Sequence, residues 1–266
     1  MLSLATIGLL VVTACAPSES AGGGARESVP APEREKTLTV MIQREPGSFD
    51  IQMTMDRGSS RAGGVNHVAS IVKAELTRED EAGQRQPWLA TEIPTQAKGT
   101  AVVNPDNTMD VTWKLRPDIF WHDGTPVTTA DYVFRHMAMD ELQIVGNLPK
   151  GFLKSVTALD AKTMVVRWSV PYVRYDEEAV TNLPRHILGD LYDRDKDALA
   201  VSRYFRNEFV GTGPFKLVEW EPGSHIEFRR HDLYHLGVPP IHRVFLRFVS
   251  DPNTMVANLL SGAVDV

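Results

Sequence analysis

LRPDIFWHDGTPVTTADYVFRHMA, residues 115–138, changes its hydrophobic period in the middle. Upstream, Met109, Val111, Trp113 and Leu115 alternate with Asp110, Thr112, Lys114 and Arg116, the period of two that a strand with one buried face requires. Downstream, Thr128 stands three residues before Asp131 in the manner of a capping box, and Ala130, Val133, Phe134, Met137 and Ala138 fall on one helical face. WHDGTPVTT is therefore read as a strand-to-helix connection. Asp123-Gly124 makes the turn, Pro126 sets φ, and the threonines cap the helix. Only His122 has no structural task in that reading. The alternative is an envelope hydrolase using His122 and Asp123, but such a pair would need a nucleophile or second carboxylate, and none lies nearby in the sequence.

The rest of the chain continues the mixed pattern. Leu38, Val40 and Ile42 alternate with polar residues as a first strand, and the turn NPDN joins Ala101–Val103 to the strand from Met109 as a hairpin. Thr163–Trp168 is a comparable strand. Phe215–Trp220 and His225–Arg229 flank EPGS at residues 221–224, a second hairpin whose turn repeats the EPGS of residues 45–48. Trp113, Trp168 and Trp220 lie on strand patterns and are assigned to the core. The class is α/β in the mixed α+β sense, with no repeat of fixed period.

Composition narrows the function. The 266 residues carry 42% apolar and 23% charged side chains with a formal net charge of -6, the balance of a globular protein. No basic stripe is present, which argues against a nucleic-acid partner. The single cysteine, Cys15, rules out an internal disulfide framework and a cysteine metal cluster. It closes the apolar run Leu2–Ala14, which is too short for a membrane-spanning helix and has the length of a signal-peptide core. The residues VTAC resemble a lipobox, and a tract rich in Ala, Gly, Ser, Pro and Glu follows. We therefore expect a signal peptide at 1–14, lipid attachment at Cys15 and a flexible tether over 15–36, so that the membrane is met only through the lipid.

Several segments in fixed order resemble family 5 extracellular solute-binding proteins, the peptide and nickel type of ABC-transporter receptor. They are LTVMIQREPGSFD at Leu38–Asp50, AGQRQPWLATEIP at Ala82–Pro94, the 115–138 stretch, LPRHIL at Leu183–Leu188, GTGPFKLVEWEPGSHIEFRRHDLYH at Gly211–His235, and IHRVFLRFVSDPNTMVANLLSGAVDV at Ile241–Val266. The resemblance implies a periplasmic-binding-protein-like type II fold: a core lobe of residues 37–62 plus 172–266, with a subdomain of residues 63–171 inserted. It also implies that the chain stops early, with the second lobe largely absent. The implied function is capture of a peptide or similar small solute in the periplasm or at the outer face of the cytoplasmic membrane, by a lipid-anchored monomer that delivers it to ABC permease subunits without catalysis or a cofactor.

In that family the loop after the first strand borders the cleft, which makes Arg44, Glu45, Ser48 and Phe49 the expected ligand-binding residues, with Glu45 able to pair with a cationic group. Alternatively EPGS at 45–48 is only a turn. His231 and His235 are spaced i, i+4 but lie in an irregular turn before Gly237-Val238-Pro239-Pro240, so no metal site is expected. GTGP at 211–214 leads into a strand and includes a proline without an N–H, which sets it apart from a phosphate loop.

Overall fold

A computed structural model of the chain describes residues 35–50, 53, 65–144, 149–176 and 180–266. The signal peptide, Cys15 and the tether up to residue 34 lie outside the described residues, as does the expected boundary at 62/63. In chain order the elements are β1 (Thr37–Ile42), α1 (Val65–Val72), β2 (Thr77–Glu79), β3 (Arg85–Pro87), β4 (Ala101–Val103), β5 (Met109–Lys114), α2 (Thr129–Glu141), β6 (Leu153–Ala158), β7 (Thr163–Trp168), α3 (Arg185–Arg194), α4 (Lys196–Ala200), β8 (Phe215–Glu221), β9 (His225–Arg230), β10 (Arg243–Phe248) and α5 (Pro252–Leu260).

Two four-stranded sheets organise these elements. One has the order β1-β10-β9-β8, with β1 parallel to β10 and the other pairs antiparallel. The other is β4-β5-β7-β6, antiparallel throughout. The expected strands and both expected hairpins are present. Along the outer edge of β1, Asp265 N–H donates to Thr39 O at 2.9 Å and Met41 N–H to Val266 O at 2.8 Å.

Alternation produces the cores. On β5 and β7, Met109, Val111, Trp113, Met164, Val166 and Trp168 point into one cluster with Leu89, Trp121 and Tyr132. On the opposite face Arg167 closes a double hydrogen bond on Asp110, both contacts at 2.6 Å. The second cluster lies against β8–β10 and gathers Ile226, Phe228, Val244 and Leu246 with Phe49, Phe134, Phe205 and Trp220. All three tryptophans assigned to the core are buried, Trp113 and Trp168 in the first cluster and Trp220 in the second. Helix α2 serves both clusters, giving Tyr132 to one and Phe134 and Ala138 to the other.

The buried face of α2 differs from the expected one. Ala130 and Met137 are exposed, whereas Asp131 and Arg135 are buried. Each polar residue has a reason to face inward. The Asp131 carboxylate accepts the Thr128 N–H at 2.8 Å, closing the capping box, and the Arg185 N–H at 3.2 Å. Arg135 grips Asp50 with both Nη atoms, at 2.6 and 3.1 Å, while Lys73 reaches the same carboxylate at 2.9 Å. Burial alone would raise the Asp50 pKa, but the charges of Arg135 and Lys73 outweigh it and hold the group far below the ordinary carboxylate range.

The two sheets are joined by a strap at Gly211–Pro214. Gly213 N–H donates to Val72 O at 2.9 Å, and Thr212 Oγ1 both accepts from Ala74 N–H (3.1 Å) and donates to Ala74 O (3.2 Å). The approach is so close that a Cβ at Gly211 would lie 1.9 Å from Val72 O, and one at Gly213 would lie 2.5 Å from Val72 C. GTGP is thus a steric motif whose glycines admit another backbone.

Two outcomes test this architecture. Asp50→Ala leaves Arg135 and Lys73 without their shared carboxylate, and urea denaturation should register a loss of about 3–5 kcal/mol. In the wild-type protein the Asp50 contribution is complete above the ordinary carboxylate pKa and declines as pH falls toward its depressed folded value. Gly211→Ala should lower the denaturation midpoint more than Gly124→Ala. At Gly124 the only obstacle is a φ of +89° with nothing within 4 Å of a new Cβ, a strain of about 1–2 kcal/mol, whereas at Gly211 two backbones must separate.

Candidate functional site

The β1 loop follows a parallel strand at its carboxyl end, the position where open α/β sheets meet ligands. Gln43 and Arg44 are exposed. Glu45 turns back onto the protein, where its carboxylate accepts from Arg206 Nη2 at 2.5 Å, Trp220 Nε1 at 2.7 Å and Gly223 N–H at 2.9 Å. Burial pushes the Glu45 pKa up, and these hydrogen bonds with the Arg206 charge push it down further, leaving it below the usual value. The Arg206 guanidinium also lies over the Trp220 ring, 4.8 Å from its centroid. One EPGS turn is therefore fastened to the other, since Gly223 belongs to the second.

The remaining loop residues face inward. Ser48 is 4% exposed and its Oγ accepts the Asp50 N–H at 3.2 Å. Phe49 is 1% exposed, with its ring 5.0 Å from Phe209, 4.9 Å from Trp220 and 6.0 Å from Phe228. This corrects the expectation of a ligand-facing Phe49. The ring is spent on core packing, and the apolar cluster that takes it up comes from segments that local sequence does not link to the loop. Of the four expected contacts, Arg44 alone has an exposed side chain, and Glu45 is half-buried with its carboxylate already engaged.

His122 has a structural task after all. Its backbone N–H donates to Gly211 O at 2.9 Å, Gly211 N–H donates to Nδ1 at 3.0 Å, and Nε2 lies 3.1 Å from Gly213 O. An N–H donated to Nδ1 requires that nitrogen to be bare, which places the proton on Nε2 to serve the Gly213 carbonyl. Burial first, then the neighbouring His231 and Lys216, push the His122 pKa down to about 3. Asp123 turns elsewhere: its carboxylate accepts the Thr125 N–H at 2.9 Å and meets His186 Nε2 at 2.7 Å. His122 and Asp123 therefore form no mutual acid/base pair, and both imidazole nitrogens are committed to backbone. The partners of His122 lie 89 and 91 positions away, beyond the reach of any local pattern.

The other histidines are dispersed. His242 Nδ1 accepts the Lys36 N–H at 3.1 Å, His225 lies beside Ser224, and His231 is buried against the His122 ring. Among the described residues no group of three or more His, Cys, Asp or Glu side chains is placed to hold a metal ion, and no helix is long and apolar enough to cross a membrane.

Comparison with known proteins bears on this arrangement. The oligopeptide-binding protein AppA of Bacillus subtilis is 26% identical over the whole of this chain, which spans 46% of AppA. The dipeptide-binding protein DppE of the same species is 26% identical over 94% of the chain, again covering 46% of the relative. The chain thus spans about half the length of these curated relatives. Among solved structures, the oligopeptide-binding protein of Thermus thermophilus complexed with a pentapeptide superposes with a TM-score of 0.73 at 22% identity, covering 86% of this chain and 44% of that one. NikZ of Campylobacter jejuni, in complex with Ni(L-His), gives 0.67 at 24% identity, with 86% of this chain and 42% of that one covered. At those identities the two structures speak for the fold alone. The model of the bacterial extracellular solute-binding proteins, family 5 Middle, matches residues 84–266, and the chain belongs to that family.

Proposed function

We propose that the protein is the extracytoplasmic receptor of an ABC importer, capturing a peptide or similar small solute and handing it to the permease without chemical change. Membership of the solute-binding family over residues 84–266 carries this reading, and relatives named for oligopeptide and dipeptide binding support peptide as the solute class. A receptor needs a shaped, preorganised surface rather than a nucleophile. The hydrolase reading gains nothing from His122, whose nitrogens serve the strap. In our reading residues 37–62 and 172–266 form the core of the lobe, 63–171 are inserted, and the protein acts as a monomer anchored at Cys15.

Within that reading the loop of residues 43–50 borders the solute. Arg44 supplies the direct contact, suited to a carboxylate of the solute, while Glu45, Ser48 and Phe49 fix the loop from behind. Calorimetry of the purified protein with a peptide mixture, followed by mass spectrometry of the bound fraction, should show stoichiometric binding and intact peptides. Peptide turnover would overturn the receptor reading. Arg44→Ala should weaken binding by about 1.5–3 kcal/mol, the range for a hydrogen bond to a charged group. Glu45→Gln should lower the melting temperature as well as the affinity, because three donors lose an ionised acceptor. Glu221→Gln, in the exposed twin turn, should change neither.

Anchoring has its own test. Wild-type protein expressed with radiolabelled palmitate should take up label and sediment with membranes, and Cys15→Ser should carry no label and remain in the soluble fraction.

A further inference from the structure

The strap at residues 211–214 is gripped from two sides by different chemistry. On the α1 side the bonds run from backbone and a threonine hydroxyl to Val72 and Ala74, groups that do not titrate. On the other side the His122 backbone N–H donates to Gly211 O and the His231 backbone N–H to Pro214 O, but the side-chain grip is the His122 ring, which must be both acceptor for Gly211 N–H and donor to Gly213 O. Behind it stands a second imidazole, His231, 3% exposed and edge-on at 5.0 Å between centroids. The charged neighbours of the pair are few. Asp123 shares the turn but is turned to His186 on α3, Lys216 lies on β8, Asp232 follows His231, and Lys73 beside the strap is paired with Asp50. No carboxylate hydrogen-bonds either ring.

We propose that His122 and His231 form an acid-released latch between the β4–β7 sheet and the strap. A proton added to His122 occupies Nδ1, removes the acceptor of the Gly211 N–H and places a buried cation 5.0 Å from a second imidazole. The WHDG turn then separates from the strap, while the α1 side stays bonded. The direction follows from which state takes the proton. In the closed state burial, His231 and Lys216 depress the His122 pKa to about 3, and His231 is lowered too, chiefly by burial. An opened latch exposes His122 at its ordinary value of 6.5. Between those values only the open form is protonated. The closed form is thus fully favoured above about pH 6.5 and loses about tenfold in its equilibrium per pH unit below it.

NMR on the histidine-labelled and amide-labelled wild-type chain between pH 7.5 and 4.5 tests this. At pH 7.5 His122 should give the pattern of a neutral ring protonated on Nε2. As pH falls below 6.5, the opening constant from hydrogen exchange at the Gly211 amide, corrected for intrinsic exchange, should rise about tenfold per unit. The Gly213 amide, bonded to Val72, and the β5 amides should respond far less. In His122→Gln, Gly211 protection should be weak and independent of pH. The latch is refuted if His122 titrates near 6.5 with Gly211 protection unchanged, if its neutral ring carries the proton on Nδ1, or if Gly211 and β5 amides lose protection together.

Discussion

Contact between two backbones, at Gly211–Gly213 and Val72–Ala74, is the constraint on which the rest of this lobe depends. Side chains cannot mediate it, because any Cβ at either glycine would occupy the space of the other chain. Once the backbones touch, three distant segments are fixed by hydrogen bonding: the end of α1 through Val72 and Ala74, the strand-to-helix turn through His122, and the end of β9 through the His231 N–H donated to Pro214 O at 2.8 Å. The two sheets do not share a strand. They share this strap, helix α2 and the ion cluster on Asp50.

Those three devices divide the work by chemistry. The strap gives position, since backbone bonds have narrow geometry. Helix α2 gives cohesion, because its ring residues enter both apolar clusters. The Asp50 cluster gives specificity of pairing. A carboxylate removed from water tolerates only an arrangement in which Arg135 and Lys73 both reach it, so alternative packings of α1 and α2 leave charge uncompensated. The β1 loop, where the solute is proposed to sit, is held at three points, with Phe49 in the core, Asp50 in the ion cluster and Glu45 on the β8–β9 turn.

Where the sequence was legible, the reason was periodicity. Met109–Lys114, Thr163–Trp168 and both hairpins follow from alternation and turn residues, and the family resemblance rested on the same local signatures. Local pattern failed wherever a polar residue was satisfied from far away. Arg135 lies off the apolar face read from the sequence, and its burial follows only from Asp50, 85 positions earlier. His122 reads as idle because its partners are backbone atoms, which leave no mark in composition. Glu45 and Phe49 are expected at a ligand because the family resemblance puts their loop at the cleft, and the groups that engage them lie in segments that local sequence does not link to it. The loop is thus singled out by topology and family resemblance, while the tasks of its individual side chains depend on partners that are distant in sequence.

The fastening of Glu45 has a consequence for the order of events in folding. Its partners Arg206, Trp220 and Gly223 lie 161, 175 and 178 positions downstream, and β1 finds its neighbour only when β10 exists. As the ribosome releases the chain from its amino end, β1 is synthesised well before β10 and stays unpaired until that partner emerges. Closing so wide a loop is slow. Until then an apolar strand with an open edge must remain extended without finding a wrong neighbour.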